Sequence, residues 1–298
     1  MRAVADVGAT VLALWRRLPV VVRAVLTGLA VAAAGAAPWA VLLWANSKYW
    51  SAVPWAVPPT ALYLWLFWRY VRGAGWPRST AEARRANSRA NRLSDDVWGV
   101  ALFAGALGFA AVMLLQGVLS RIVAMPRQQD LDVSKYPFVT VSLWVLMGAA
   151  VAGVVEEVSF RGYMQGPLER RYGPVIAILV TGILFGLAHF THPEVTLVLI
   201  PYYLAVAAVY GGLAYLTNSI LPSLVLHAGG NVFSALDLFT RGRSEWQGSA
   251  TPKPLIWDTG ADASFWISLV ATLVVGTAAV WAYTALASVV RKIPSAQS

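Results

Sequence analysis

Long apolar runs alternate with short polar loops along most of this 298-residue chain. Several runs reach about 20 residues, the length that an α-helix needs to span a bilayer. The pattern therefore predicts an all-α fold, a polytopic transmembrane helical bundle of about eight spans. The predicted spans are Val20–Ala45, Val53–Tyr70, Val97–Ser120, Phe138–Phe160, Pro174–Phe190, Val195–Leu216, Ile220–Leu236 and Ser264–Val290.

Composition and charge agree with a membrane protein. Hydrophobic residues make up 58% of the chain and charged residues 12%, whereas about 25% of an ordinary soluble domain is charged. The net charge of +9 would also suit nucleic acid. However, if the chain crosses the membrane eight times, 16 of the 23 Lys and Arg residues lie on the same side of the membrane as the N-terminus. The positive-inside rule then predicts a multi-pass cell-membrane protein with both termini cytoplasmic, partnered by the lipid bilayer and not by nucleic acid.

Two local features of the N-terminal third bear on this topology. Residues 69–96 hold seven arginines, which we interpret as a signal that retains this loop in the cytoplasm. The tripeptide Ala34-Gly35-Ala36 resembles a signal-peptidase site. Because apolar sequence continues beyond it through Trp44, we interpret the first span as an uncleaved anchor.

Two adjacent carboxylates stand out within the apolar sequence. Of the 14 acidic residues, only Glu156 and Glu157 lie in or against a hydrocarbon-length segment. A carboxylate at membrane depth costs several kcal/mol and is tolerated where it faces a bundle interior or a water-filled cavity. A structural ion pair between two helices and a functional site both remain open on this observation alone.

Helical spacing separates the roles of these two glutamates. Neighbouring residues on a helix point about 100° apart, so the two side chains do not share a face. Glu157 and Arg161 stand at i and i+4 with the acid first, which favours an ion pair. Glu157 is therefore predicted to be partnered, while Glu156 faces something else.

The histidines are candidates for that other group. The chain has no cysteine and only three histidines, which excludes disulfides and thiolate chemistry. His189 ends the fifth span, and His227 lies one helical turn from Asn231 in the seventh. A turn at Tyr172-Gly173-Pro174, midway between Glu156 and His189, would bring those two to one depth. The remaining histidine, His192, precedes a proline and is predicted to be a loop residue without a catalytic role.

These motifs resemble those of a known family. Glu156-Glu157-x-x-x-Arg161, Phe185-x-x-x-His189 and His227-x-x-x-Asn231 are similar to the three motifs of the CAAX-protease and bacteriocin-processing (CPBP, or Abi) intramembrane proteases. The resemblance covers about residues 138–236. It implies a hydrolase that cleaves a peptide bond within the membrane. The implied substrate is a membrane-associated protein or peptide, a class that includes CAAX proteins.

The resemblance also implies roles for the site residues. Glu156 would activate water with the help of His189, while His227 and Asn231 would form the oxyanion site. Glu157 and Arg161 would support Glu156. A second possibility is a metalloprotease in which Glu156, His189 and His227 hold zinc, since catalytic zinc takes three protein ligands and water. Hydrolysis by a general base and oxyanion stabilisation alone is equally compatible with these residues.

Three regions and three functions follow from this reading. Residues 1–137 are expected to form a membrane region with three spans and the basic loop, residues 138–236 a catalytic core, and residues 237–298 an outer loop and the last span. The first functional hypothesis is an intramembrane endopeptidase. The alternatives are a catalytically idle immunity or scaffold protein of the same fold, and a transporter with a proton-relay glutamate. Transporters often show repeat halves, and none is evident in this sequence.

Overall fold

The computed structural model describes residues 13–125, 133–189, 197–236 and 253–292, and within these ranges the chain is helical with no strand. His192 and most of the predicted outer loop after residue 236 lie outside the described residues. The α-helices are α1 Val20–Lys48, α2 Val57–Val71, α3 Ala81–Ser88, α4 Asp95–Ile122, α5 Phe138–Glu156, α6 Gly166–Tyr172, α7 Pro174–Ala188, α8 Ile200–Thr217, α9 Leu221–Ser234, α10 Ile256–Thr259 and α11 Ala263–Lys292.

The prediction of an all-α membrane bundle is confirmed, and each predicted span corresponds to a helix. Five of the described helical segments are long and apolar enough to cross a membrane: α1, α4, the continuous helix Phe138–Tyr172, α8 and α11. The helices α2, α7 and α9 have 15, 15 and 14 residues. They are shorter than the roughly 20 residues of a full crossing. The protein is a multi-pass membrane protein, and a full crossing by each of these three short helices remains a prediction.

The bundle is organised around α8, of which half of the apolar stretch is buried. This helix packs against α7 on one side and against α4, α9 and α11 on others, while α1 packs along the segment that follows α5. At the periphery, α11 turns Trp266, Leu273 and Trp281 outward with more than half of each side chain exposed. Apolar surface of this extent is unfavourable in water and suits contact with lipid.

The helix that carries the two glutamates is longer than predicted. The expected span ended at Phe160, but the chain stays helical from Phe138 to Tyr172. Its middle part, Glu157–Gln165, is a π-helix, here called the π-segment. Pro167 does not interrupt the helix because it stands in the first turn of α6, where a missing N–H is tolerated. The predicted turn is confirmed, because Gly173 lies between α6 and α7 with a positive φ of 82°.

Two of the seven arginines in the basic loop have structural roles, which extends the interpretation of that loop as a topological signal. The buried guanidinium of Arg84 donates to the carbonyl oxygens of Tyr70 and Ala74, both at 2.9 Å. Arg89 is also buried and pairs with Glu169 at 2.9 Å. Arg161, counted in the sequence among the cytoplasmic charges, is buried inside the bundle. When Arg161 is left out, most of the Lys and Arg residues still lie on the predicted cytoplasmic side.

The opposite end of the bundle is tied by an ion pair between α4 and α11. Arg121 lies 3.1 Å from Asp262, the residue before α11. The backbone N–H of Phe265 and the hydroxyl of Ser264 both donate to the Asp262 carboxylate, which lowers the pKa of this exposed group to about 2. The carboxylate therefore stays ionised at ordinary pH, and the pairing of α4 with α11 is retained.

The topology itself can be tested with reporter fusions. A reporter placed in α3, at residue 85, and one at the C-terminus should both give a cytoplasmic signal, because the positive charge is concentrated at that end. A reporter at Trp257 should give the signal of the opposite side. A C-terminal reporter outside the cytoplasm would contradict the arrangement of eight spans.

Candidate active site

A cavity of about 120 Å³ lies within the bundle, and all four side chains predicted to be catalytic line it. These are Glu156, His189, His227 and Asn231. The predicted supporting residues, Glu157 and Arg161, do not line the cavity. They are buried behind its wall, with 0% and 1% of each residue exposed. The structure thus brings together residues from three helices that are up to 75 positions apart in sequence.

Local packing explains how the helices bring these groups together. Glu156 is the last residue of α5, so the change to π-helical geometry begins directly after it. A β-carbon at Gly153, one turn earlier, would lie 2.9 Å from the β-carbon of Ala228 on α9. Only glycine permits this close approach, which brings His227, the neighbour of Ala228, against the two glutamates. Asn231 follows His227 by one turn of α9 and faces the same cavity.

The imidazole of His227 lies between the two carboxylates. Its Nδ1 is 2.9 Å from Glu157 Oε1 and donates the hydrogen bond, because an ionised carboxylate only accepts. On the other side, Nε2 lies 3.6 Å from Glu156 Oε2, which is too long for a direct hydrogen bond. The two glutamates diverge, as the helical spacing predicted, yet both face one ring. Glu157 contacts His227 and Arg161, and its implied role in supporting Glu156 stays a prediction.

Arg161 balances the charge behind the cavity wall. Its guanidinium lies 3.3 Å from Glu157 Oε1, which confirms the predicted i, i+4 pair. It also stacks over the rings of Phe185 and Tyr210, at 4.7 and 5.5 Å from their centroids. Tyr210 in turn stacks on His227, with centroids 5.3 Å apart and planes 14° apart. This buried arginine therefore fixes Glu157 and, through it, the orientation of His227.

His189 is held by the last turn of α7. Its Nδ1 donates to the carbonyl oxygen of Phe185 at 2.6 Å, and its ring stacks on Tyr203 with centroids 5.0 Å apart. The hydrogen bond sets the tautomer, since a proton on Nδ1 leaves the lone pair of the neutral ring on Nε2. The neutral ring therefore has its acceptor nitrogen at Nε2, and His189 lines the cavity.

The Oε2 atom of Glu156, on the cavity wall, is buried and accepts no hydrogen bond from the described residues. Asn231 also lines the cavity, and it is half-buried. Buried polar atoms are nearly always satisfied. Unsatisfied ones that face a cavity are typical of groups that act on water or a ligand.

The fit to a catalytic metal is poor. Within the described residues, no group of three histidine or acidic side chains is placed to hold a metal ion. The hydrogen bonds of the two histidines use Nδ1 and leave Nε2 of each ring as the nitrogen that could ligate a metal. Glu156 and His227 approach one another, but His189 does not join them in a group of three. The zinc set of Glu156, His189 and His227 is therefore not assembled in this arrangement.

Sequence reasoning missed several groups of this site. The aromatic residues Tyr203 and Tyr210 stack on the two histidines, but aromatic residues are too common in membrane helices to stand out. Phe185 was quoted as a motif position, but its contact with Arg161 was not predicted. Gln116 of α4 also lines the cavity. Its signal was present, because it is an amide within an otherwise apolar span, and the argument applied to Glu156 applies to it as well.

Comparison with known families supports the motif assignment. Residues 138–233 match the family model described as Type II CAAX prenyl endopeptidase Rce1-like. The match confirms the predicted resemblance, and it contains all six predicted site residues. Residues 1–137 and 234–298 lie outside it. No curated protein matches the chain, and no solved structure matches it.

Proposed function

We propose that the protein is an intramembrane endopeptidase that hydrolyses a peptide bond of a membrane-associated substrate of the CAAX type. The observation that carries this proposal is the position of Glu156. Glu156 is the last residue of α5, and its side chain lines the cavity. Its Oε2 atom is buried and has no hydrogen-bond partner in the described residues. A carboxylate in this setting is suited to take a proton from water.

The proposed first step uses Glu156 and His189. Water that enters the cavity donates a hydrogen bond to Glu156 and a second one to the Nε2 lone pair of His189. Glu156 removes a proton as the water oxygen attacks the carbonyl carbon of the scissile bond. The same carboxyl group then returns the proton to the leaving amine, so that protons balance over the reaction.

His227 and Asn231 are proposed to stabilise the negative charge that develops on the carbonyl oxygen. The Asn231 amide supplies an N–H donor from the cavity wall. Because Nδ1 of His227 already donates to Glu157, this ring contributes a second donor when its Nε2 also carries a proton. Removal of one such donor in other enzymes lowers kcat by about 10²–10³-fold.

The rest of the chain is proposed to support this core. Residues 138–236 would form the catalytic unit. Residues 1–137 would hold it through α1, which packs on the π-segment, and through Arg89, which pairs with Glu169. Residues 237–298 would close the far side with α11. We place the protein in the cell membrane with both termini in the cytoplasm.

The decisive experiment compares the membrane proteome of cells that carry the wild-type protein with that of cells that carry Glu156→Ala. A protease should leave specific fragments that are present with the wild type and absent with the variant. Identical peptide patterns, with both proteins expressed equally, would instead favour the catalytically idle immunity or scaffold protein.

The metal question has a separate test. Since Glu156, His189 and His227 do not form a three-ligand set, we expect purified active protein to contain less than stoichiometric zinc and to keep its activity after chelation. Metal analysis alongside cleavage of a prenylated peptide would measure both. Stoichiometric zinc that is lost in His189→Ala, together with inhibition by a chelator, would contradict the metal-independent mechanism.

A further inference from the structure

A second pocket, of about 230 Å³, lies at the basic end of the bundle and shares no lining residue with the active-site cavity. It is formed where the start of α1 meets α6 and the end of α3. Its polar lining consists of Arg23 and Thr27 from α1, Asn87 from α3, Tyr163 from the π-segment and Arg170 from α6. We refer to it as the arginine pocket.

The charges of the arginine pocket are unbalanced. Two guanidinium groups line it, and no acidic residue does so within the described ranges. Neither Arg23 nor Arg170 forms an ion pair with any described residue. The Nε atom of Arg23 is buried and has no hydrogen-bond acceptor there.

The buried arginines of the described residues each have an acidic partner or several backbone acceptors. Arg89 binds Glu169, Arg121 binds Asp262 and Arg161 binds Glu157. A further buried arginine, Arg84, donates to several backbone carbonyls. Guanidinium nitrogens without an acceptor also occur at Arg89, Arg121 and Arg161, but each of these arginines has a carboxylate partner. The half-buried Arg23 and the exposed Arg170 have no carboxylate partner among the described residues, so their charges are available to an anion from outside the described chain.

The position of the pocket indicates where that anion comes from. Arg23 lies one turn inside α1, and Arg170 lies two residues before the end of α6. Both therefore lie near the ends of membrane-length helices, where such helices are expected to leave the hydrocarbon region. Trp15 also lines the pocket, and tryptophan is enriched at this interface. Lipid phosphates lie at this depth, and basic pockets between membrane helices bind anionic headgroups.

We propose that the arginine pocket binds the phosphate group of an anionic phospholipid. The phosphate would bridge Arg23 and Arg170, and the amide of Asn87 and the hydroxyl of Tyr163 line the same pocket and could donate to its remaining oxygens. The hydroxyl of Thr27 already donates to the carbonyl oxygen of Arg23. Bound lipid would thereby join α1 to the helix that carries Glu156 and Glu157. Its expected effect is stabilisation of the folded protein that rises with the logarithm of the lipid concentration above its Kd, and the inference does not depend on the proposed protease activity.

The test uses the full-length protein in nanodiscs of phosphatidylcholine, with or without phosphatidylglycerol. Lipid binding is measured by native mass spectrometry and the unfolding midpoint by a thermal melt. Phosphatidylglycerol should raise the midpoint of the wild type. The Arg23→Gln and Arg170→Gln variants should each bind phosphatidylglycerol at least about fivefold more weakly than the wild type. This is the loss expected when one arginine is removed from a site for an anionic lipid.

Matched controls distinguish a pocket from general attraction to negative lipid. Arg17→Gln and Arg171→Gln remove exposed neighbours that do not line the pocket, and both should bind the lipid as the wild type does. Equal losses in all four variants would overturn the proposal, because they would indicate a diffuse surface effect. Because Arg170 is exposed, its variant should fold even if Arg23→Gln does not.

A further arm tests the source of the phosphate. Inorganic phosphate, added to phosphatidylcholine nanodiscs at constant ionic strength, should leave the melting midpoint unchanged. A midpoint raised by inorganic phosphate alone, and lost in Arg170→Gln, would overturn the lipid as ligand in favour of a soluble phosphate. The lipid effect should persist in Glu156→Gln, so its failure and a failure of the protease proposal are distinguishable.

Discussion

Replacing Glu156 by glutamine is expected to abolish peptide hydrolysis while leaving the fold intact. Glutamine keeps the size of the side chain but cannot take a proton from water. Loss of a general base lowers catalysis by about 10²–10⁴-fold, which would leave little measurable activity. Stability should stay within about 1 kcal/mol of the wild type, because the Glu156 side chain is 27% exposed and its Oε2 accepts no hydrogen bond from described residues.

The measurement is cleavage of a prenylated CAAX peptide by purified protein, with a thermal melt of the same sample. Asp258→Asn is a suitable control, because it removes an exposed carboxylate of α10 that does not line the cavity. It should retain the activity of the wild type. A fully active Glu156→Gln variant would show that another group activates the water.

The sequence predicted the eight apolar helices and the residues that meet at the cavity, because both leave strong local signals. Apolar runs of bilayer length have few alternatives to helix, and the turn at Gly173 follows from a glycine next to a proline. Glu156 and His227 were conspicuous because ionisable groups are rare in such runs. These inferences needed only composition and spacing along one element.

The features that sequence could not supply depend on contacts between elements. The π-segment was missed because Glu157–Gln165 contains no residue that distinguishes π from α geometry. The pairing of Glu157 with His227 joins two helices 70 residues apart, and nothing in either motif specifies which glutamate the imidazole contacts. The structural roles of Arg84 and Arg89 were missed for the same reason, since the sequence does not distinguish an arginine buried in the fold from one that sets the membrane topology.

The buried pair of Glu157 and Arg161 is expected to be essential for stability as well as for activity. Both residues are at most 1% exposed, so removing one charge leaves the other uncompensated in the bundle. Breaking a buried pair in this way costs about 3–5 kcal/mol. Glu157→Gln and Arg161→Gln should each destabilise the protein by that order. Glu157→Gln should also lower activity, because His227 loses the carboxylate that orients it.

The double variant provides the sharper measurement. With both charges removed, no isolated charge remains, so the loss in unfolding free energy should be smaller than the sum of the two single losses by about 1 kcal/mol or more. Reversible unfolding in mixed micelles would give the three values. As a control, Asp258→Asn combined with Arg161→Gln should be additive within about 0.5 kcal/mol, since the two sites share no contact. Additive losses for Glu157 and Arg161 themselves would show that the 3.3 Å contact is not an energetic pair, and the structural role assigned to Glu157 would then be wrong.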